Sequence, residues 1–312
     1  MQNRQWIAIA AVLLVCAAGC SEQQPARKVS LEKRDAVMES AEPHKANTLR
    51  FAVGGMITPR EGFAYYRQFL DYIGKKTGRH VKYVDREKYE EINRLLATGG
   101  VDVAFVCSGP YIDGREKFGL QLLVAPQAYG KPIYYSYTIV HKDSRITRFE
   151  DLRGKVFAFT DPDSNTGKLV PEYRLAKMHE TSDSFFLKYV YTYKHDQSLK
   201  AVAQKVVDGA AVDSLIWEYA NRKSPQYTSQ TRIIWKSPPY GIPPVVVRPG
   251  LDPALKRELK RAFLNAHVDP EGRELLENMM IDRFVEINDS AYDSVREMKS
   301  WIGQQKKGKK AR

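Results

Sequence analysis

From residue 48 onward the chain alternates short apolar runs with stretches of helical periodicity, and this alternation restricts the fold more than any other property of the sequence. Runs at 49–53, 81–84 and 101–106 read as strands, the last of them buried. Between them, Phe63, Tyr66, Phe69, Leu70 and Ile73 recur at helical spacing up to Gly74, and Ile92, Leu95 and Leu96 mark one face of a helix over 89–97. Strand, helix, strand, helix, strand with short joints demands a parallel sheet with right-handed crossovers. The theme resumes with strands expected at 134–140, 156–160, 186–191, 210–212, 233–235 and 245–247. Helices are expected at 169–178, 198–207, 216–220 and 253–266, with a final helical region over 270–303. The Pro-rich stretch 238–244 reads as an extended crossing. The expected fold is α/β, with two doubly wound lobes joined by extended hinge crossings. One lobe takes 48–137 and 243–303, the other 138–242. A basic tail over 304–312 is expected to be disordered.

The residues before 48 carry an address and a tether. Arg4 precedes an unbroken apolar run over 6–18, too short for the roughly 20 residues that cross a bilayer, so 1–19 reads as an export signal. Ala17, Ala18 and Gly19 before Cys20 resemble the lipobox of bacterial lipoproteins, with Ala17 where Leu is usual. That resemblance implies cleavage before Cys20 and lipidation of its thiol, which would anchor the chain to a membrane surface. Residues 20–47 hold too few large apolar side chains to fold alone and read as a flexible tether. With Cys16 removed and Cys20 lipidated, one free cysteine remains: Cys107, in an apolar strand, reads as a small core residue without a catalytic role.

Enzyme signatures fail. Gly167-Lys168 lacks the Ser or Thr and the first Gly of a P-loop, and the six His residues show no metal-ligand spacing. Asp161 and Asp163 are explained as a turn around Pro162. The expectation is a non-enzyme with no cofactor. The loop 161–167 is more informative. It joins the carboxyl end of a strand to a helix start, where open α/β sheets bind ligands and where unpaired N–H groups suit an oxyanion. An ordinary N-cap would use the same residue types, so spacing alone leaves both readings open.

The segment Asp-Pro-Asp-Ser-Asn-Thr-Gly-Lys-Leu-Val-Pro at 161–171 resembles the loop and helix start of the phosphonate, phosphite and phosphate binding proteins of ABC transporters. Blocks at 99–111, 134–140, 207–214 and 234–238 are similar to the same family, in the family's order. The resemblance implies a type II periplasmic binding fold that closes on its ligand. It implies that Ser164, Asn165 and Thr166 hold ligand oxygens, with Asn165 standing where the family has a hydroxyl residue. It also implies that Tyr89 and Tyr134 line the cleft, joined by His195 and Asp213. Ser108 ends a strand aimed at the same cleft. Leu215 stands where aminophosphonate binders carry a glutamate, which argues against an ammonium-bearing ligand. The bland readings are a core Tyr with a satisfied hydroxyl, a capping His195 and a simple Ser-Gly-Pro turn.

The expected function is a solute-binding lipoprotein of the cell envelope that delivers phosphite, phosphonate or phosphate to an ABC permease and its ATPase. A receptor for another small oxyanion or organic ligand, or a ligand sensor at the membrane surface, is the alternative. The excess of 49 Lys and Arg over 37 Asp and Glu could attract nucleic acid, but export excludes that, and lipid headgroups or anionic solutes explain the charge. The chain is expected to be a monomer.

Overall fold

The computed structural model describes residues 47–54 and 63–310. The export signal, Cys20 and nearly all of the tether lie outside the described residues. Strands β1 (Thr48–Val53), β2 (His80–Val84) and β3 (Val103–Phe105) alternate with helices α1 (Phe63–Lys76) and α2 (Tyr89–Thr98), as the periodicity requires. The chain then adds helix α3 (Ser108–Phe118) and strand β4 (Gln121–Gln127). A six-stranded sheet forms in the order β13-β4-β12-β3-β1-β2, completed by β12 (Val245–Val247) and β13 (Arg283–Val285). Strands β2, β1, β3 and β4 run in one direction; β12, lying between β3 and β4, runs antiparallel to both because the chain re-enters this sheet from the other end, and β13 runs antiparallel to β4.

Strand periodicity sorts the side chains of this sheet onto two faces. Leu49, Phe51, Val103, Phe105, Val245 and Val247 face a core that holds Phe69, Phe263 and Phe284. Their neighbours Ala52, Ala104 and Val246 face the opposite core with Ile92, Leu96 and Tyr111. Burial on both faces explains why these strands read as continuous apolar runs. Each large side chain so buried stabilises by about 1.5–3 kcal/mol.

A five-stranded sheet forms the second half in the order β10-β6-β9-β7-β8. It comprises β6 (Ser136–His141), β7 (Val156–Phe159), β8 (Lys188–Tyr191), β9 (Gly209–Asp213) and β10 (Thr231–Lys236). Its helices are α4 (Val170–Lys177), the short α5 (Ser182–Phe185), α6 (His195–Ala203) and α7 (Ser214–Lys223). The six-stranded half is covered further by α8 (Pro253–Asn265) and α9 (Pro270–Met279). Two chain crossings join the halves as a small antiparallel ribbon of β5 (Ile133–Tyr134) and β11 (Tyr240–Gly241).

The last helix, α10 (Asp293–Lys310), packs against both α3 and α4, with Lys299 paired to Asp113 and Trp301 edge-on to Tyr173. One sequence expectation is sharpened here: the region 270–303 is two helices with β13 between them, and the second, α10, runs on to Lys310. Gln and Lys are good helix formers, and a helix already anchored by packing extends through them at little cost.

Candidate functional site

Five helix amino termini converge where the two halves meet. Tyr89 is the first residue of α2, Ser108 the first of α3 and His195 the first of α6, while Asp213 is the N-cap of α7. Ser164 caps the fifth, which opens with a wide π turn over Asn165–Leu169 before α4. In that turn the N–H of Leu169 reaches back five residues to the Ser164 carbonyl at 2.9 Å. Each helix start carries roughly half a positive charge, so the junction is electropositive without a Lys or Arg among its site residues. Tyr134, from the crossing strand β5, completes the set.

All eight side chains anticipated from the sequence are buried, at 2% exposure or less. Contacts across the junction show that the halves are closed on one another. The Asn165 amide nitrogen Nδ2 donates to the Tyr134 hydroxyl at 3.0 Å, and the Tyr89 backbone N–H donates to Asp161 Oδ2 at 3.2 Å. Gly109 is obligatory here, because a Cβ at that position would stand 2.3 Å from the Asp163 carbonyl oxygen of the opposite half. Gly167 is equally constrained, by Thr160 Oγ1 at 2.4 Å.

Burial normally requires that a polar atom find a partner. Four site atoms have none among the described residues: the Tyr89 hydroxyl, Asn165 Oδ1, Thr166 Oγ1 and His195 Nε2. Leaving such groups dry and unpaired costs about 1–3 kcal/mol each, and clusters of them mark a ligand position more readily than a core.

The proton on His195 can be placed. Its Nδ1 accepts the backbone N–H of Asp213 at 3.0 Å and faces the Thr160 hydroxyl at 3.1 Å. The ring proton therefore sits on the unpartnered Nε2. Burial lowers the His195 pKa to about 3, which keeps the imidazole neutral and makes Nε2 a neutral donor. Burial also pushes the Tyr89 and Tyr134 phenols well above their ordinary value, so both stay protonated.

Asp213 behaves differently. Burial raises its carboxyl to about 7, against the opposing effect of the backbone N–H groups of Leu215 and Ile216. Its Oδ1 accepts the Leu215 N–H at 2.8 Å as an N-cap. The group therefore exchanges its proton near neutrality, and Asp161 beside the junction is likewise raised by burial, to about 6.

The remaining anticipated hydroxyls are partly used. Ser108 Oγ donates to the Gly241 carbonyl at 2.7 Å, so its proton is consumed by the crossing ribbon and it forms wall, not donor. Ser164 Oγ accepts the Gly167 N–H at 3.0 Å, the ordinary cap that the spacing also allowed, and an accepting hydroxyl retains a proton to give.

Cys107 was read as a core residue, yet it stands in the middle of this junction. Its sulfur accepts the Asn165 N–H at 3.5 Å and lies 3.8 Å from the Tyr134 hydroxyl. Burial raises the thiol pKa, so it is protonated and a weak acceptor. Its place at the carboxyl end of β3, as N-cap of α3, was the available signal. Asp161 was likewise read as turn alone; one oxygen does hold the turn by accepting the Asp163 N–H at 2.8 Å, but the other ties the two halves together. Among the described residues, no group of three metal-ligating side chains occurs and no helix is long and apolar enough to cross a membrane.

The chain is similar in sequence and in fold to known proteins. The family model for the periplasmic substrate-binding protein of phosphonate ABC transporters matches residues 51–292. The phosphonates-binding periplasmic protein of Escherichia coli is 30% identical over 216 residues, covering 68% of this chain and 64% of the relative. A phosphate-import protein of Mycolicibacterium smegmatis is 27% identical over 214 residues, covering 64% of this chain and 66% of the relative. The chain thus spans about two thirds of the length of each relative. Among solved structures, the binding component of a Pseudomonas aeruginosa ABC phosphonate transporter superposes with a TM-score of 0.77 at 25% identity, over 81% of this chain and 85% of that one. A Prochlorococcus marinus protein in complex with methylphosphonate shares the fold at a TM-score of 0.75 and 19% identity, covering 82% of this chain and 98% of that one.

Proposed function

The chain belongs to the family of periplasmic substrate-binding proteins of phosphonate ABC transporters, and from that premise we propose that it captures a phosphorus oxyanion at the junction of helix starts and delivers it to an ABC permease and its ATPase. The two lobes, 48–137 with 243–303 and 138–242, act as jaws. Cys20 carries the lipid that holds the protein, as a monomer, at the surface of a membrane in the cell envelope.

The observation that carries this reading is the set of unpartnered buried polar atoms. Tyr89, Thr166 and His195 offer three donors that no group among the described residues uses, and the helix dipoles behind them favour negative charge. A small tetrahedral anion supplies the acceptors they lack. Asn165 N–H, which leans on the weak thiol of Cys107 at 3.5 Å, turns to a ligand oxygen as the far stronger acceptor.

Asp213 sets the proton count. A carboxylate and a fully ionised ligand in contact repel, so the pair shares one proton, held either on the carboxyl or as a P–OH that donates to it. Phosphite, phosphonate monoanions and phosphate meet this requirement. Sulfate brings no proton, so it depends on a protonated Asp213, which becomes scarce above about pH 7.

Calorimetric titration with methylphosphonate tests the reading in wild type and Thr166→Val. Losing one hydrogen bond to a charged ligand costs about 1.5–3 kcal/mol, so affinity should fall roughly 10- to 150-fold. The same change removes an unpaired hydroxyl and should stabilise the ligand-free protein by about 1 kcal/mol. Equal affinity in the two proteins would remove Thr166 from the site.

A further inference from the structure

A second feature adjoins the junction. A crevice opens between the halves with Asp213 in its wall, and its remaining lining is largely apolar. Phe105, Ile242 and Met279 contribute from the six-stranded half and the crossing, Leu215 and Ile216 from the start of α7. About 50 Å3 of the crevice is deep enough for atoms of water size, against roughly 10–15 Å3 for a single water. Asp213 is therefore shared: it stands among the site's tyrosines and cysteine and also in the crevice wall.

Resting on the oxyanion reading above, we infer that this crevice receives a short uncharged alkyl substituent of the bound phosphonate, about three or four carbons long. Two observations carry it. Asp213 lines the crevice and also lies within electrostatic reach of Tyr89, Tyr134 and Cys107, so the crevice adjoins the oxyanion position at that side chain and a substituent on phosphorus has it as a neighbour. Its lining offers an alkyl chain burial, whereas an ammonium would exchange three water contacts for one carboxyl shared with the oxyanion.

The experiment is a titration series with phosphate, methyl-, ethyl-, propyl- and 2-aminoethylphosphonate on the full-length protein and on Leu215→Trp, which fills the crevice. Each methylene buried should tighten binding about fourfold, so propylphosphonate should exceed methylphosphonate about 15-fold. Propyl- and aminoethylphosphonate match in shape and differ in a methyl against an ammonium; propyl should bind tighter. In Leu215→Trp the ratio of propyl to methyl affinity should collapse toward one. Binding that stays flat or weakens from methyl to propyl, or a preference for the aminoethyl compound, overturns the crevice assignment while leaving the oxyanion site standing. A wild-type chain-length gain that survives in Leu215→Trp places the substituent elsewhere and also overturns it. If neither phosphate nor any phosphonate binds, the oxyanion reading falls and this inference with it.

Discussion

Replacing Asp213 by Asn removes the higher of two carboxyl ionisations that burial raises in the junction, Asp213 at about 7 and Asp161 at about 6. Asn caps helices as well as Asp, so the bond from the Leu215 N–H is retained and only the charge is lost. The folded carboxyl titrates at about 7 against an ordinary value of 3.8. Because the folded value is the higher one, the folded state holds the proton more tightly, and stability falls as pH rises through the window between the two values. A gap of about three units corresponds to ~4 kcal/mol, roughly 3 kcal/mol of it between about pH 5 and pH 7. His195 supplies the opposite slope: its folded value of about 3 lies below the ordinary 6.5, so its contribution is lost as pH falls below about 6.5. Denaturant unfolding at about pH 5, 6, 7 and 8 reads both. Asp161 and His195 titrate alike in both proteins, so the difference between the curves reports Asp213: wild type should lose roughly 3 kcal/mol relative to Asp213→Asn from about pH 5 to pH 7, the two diverging increasingly up to about pH 7. Parallel curves would mean that Asp213 is not a buried carboxyl with a raised pKa, and the proton-sharing account of ligand choice would go with it.

Two further outcomes follow from the closed junction. Gly109→Ala places a methyl 2.3 Å from the Asp163 carbonyl, and overpacking of about 1–3 kcal/mol falls on the closed state, so methylphosphonate affinity should drop roughly 5- to 150-fold by calorimetry. Cys107→Ser puts a stronger acceptor beside the Asn165 N–H; competition with the ligand should weaken binding several-fold, and unchanged or tighter binding would show that this N–H does not serve the ligand.

Sequence periodicity defined β1 through β3 and their helices because those segments bury one residue type per face over adjacent, locally connected elements. Helix α3 was not legible: Ser108-Gly109-Pro110 reads as a turn, although Pro is tolerated in a first helical turn where its missing N–H has no partner to lose. Strand β4 carries Pro126, and its pairing with β12 and β13 depends on segments more than a hundred residues away. The expected helix start at 198 is three residues late; the structure begins α6 at His195, which is what places that ring on Asp213. The family resemblance directed attention to the residues that now form the junction, but not to their states. That Ser108 gives its proton to Gly241, that Cys107 sits among the donors, and that Asp161 reaches across 72 positions to Tyr89 are consequences of closure, which no local pattern encodes.

The most direct measurement is a crystal structure of the protein grown with methylphosphonate. Phosphorus should lie at the meeting of the helix starts, with ligand oxygens at hydrogen-bond distance from the Tyr89 hydroxyl, Thr166 Oγ1 and His195 Nε2. One oxygen should face Asp213. Density for the ligand anywhere else, with those three atoms still unpartnered or bonded to protein, would contradict the account.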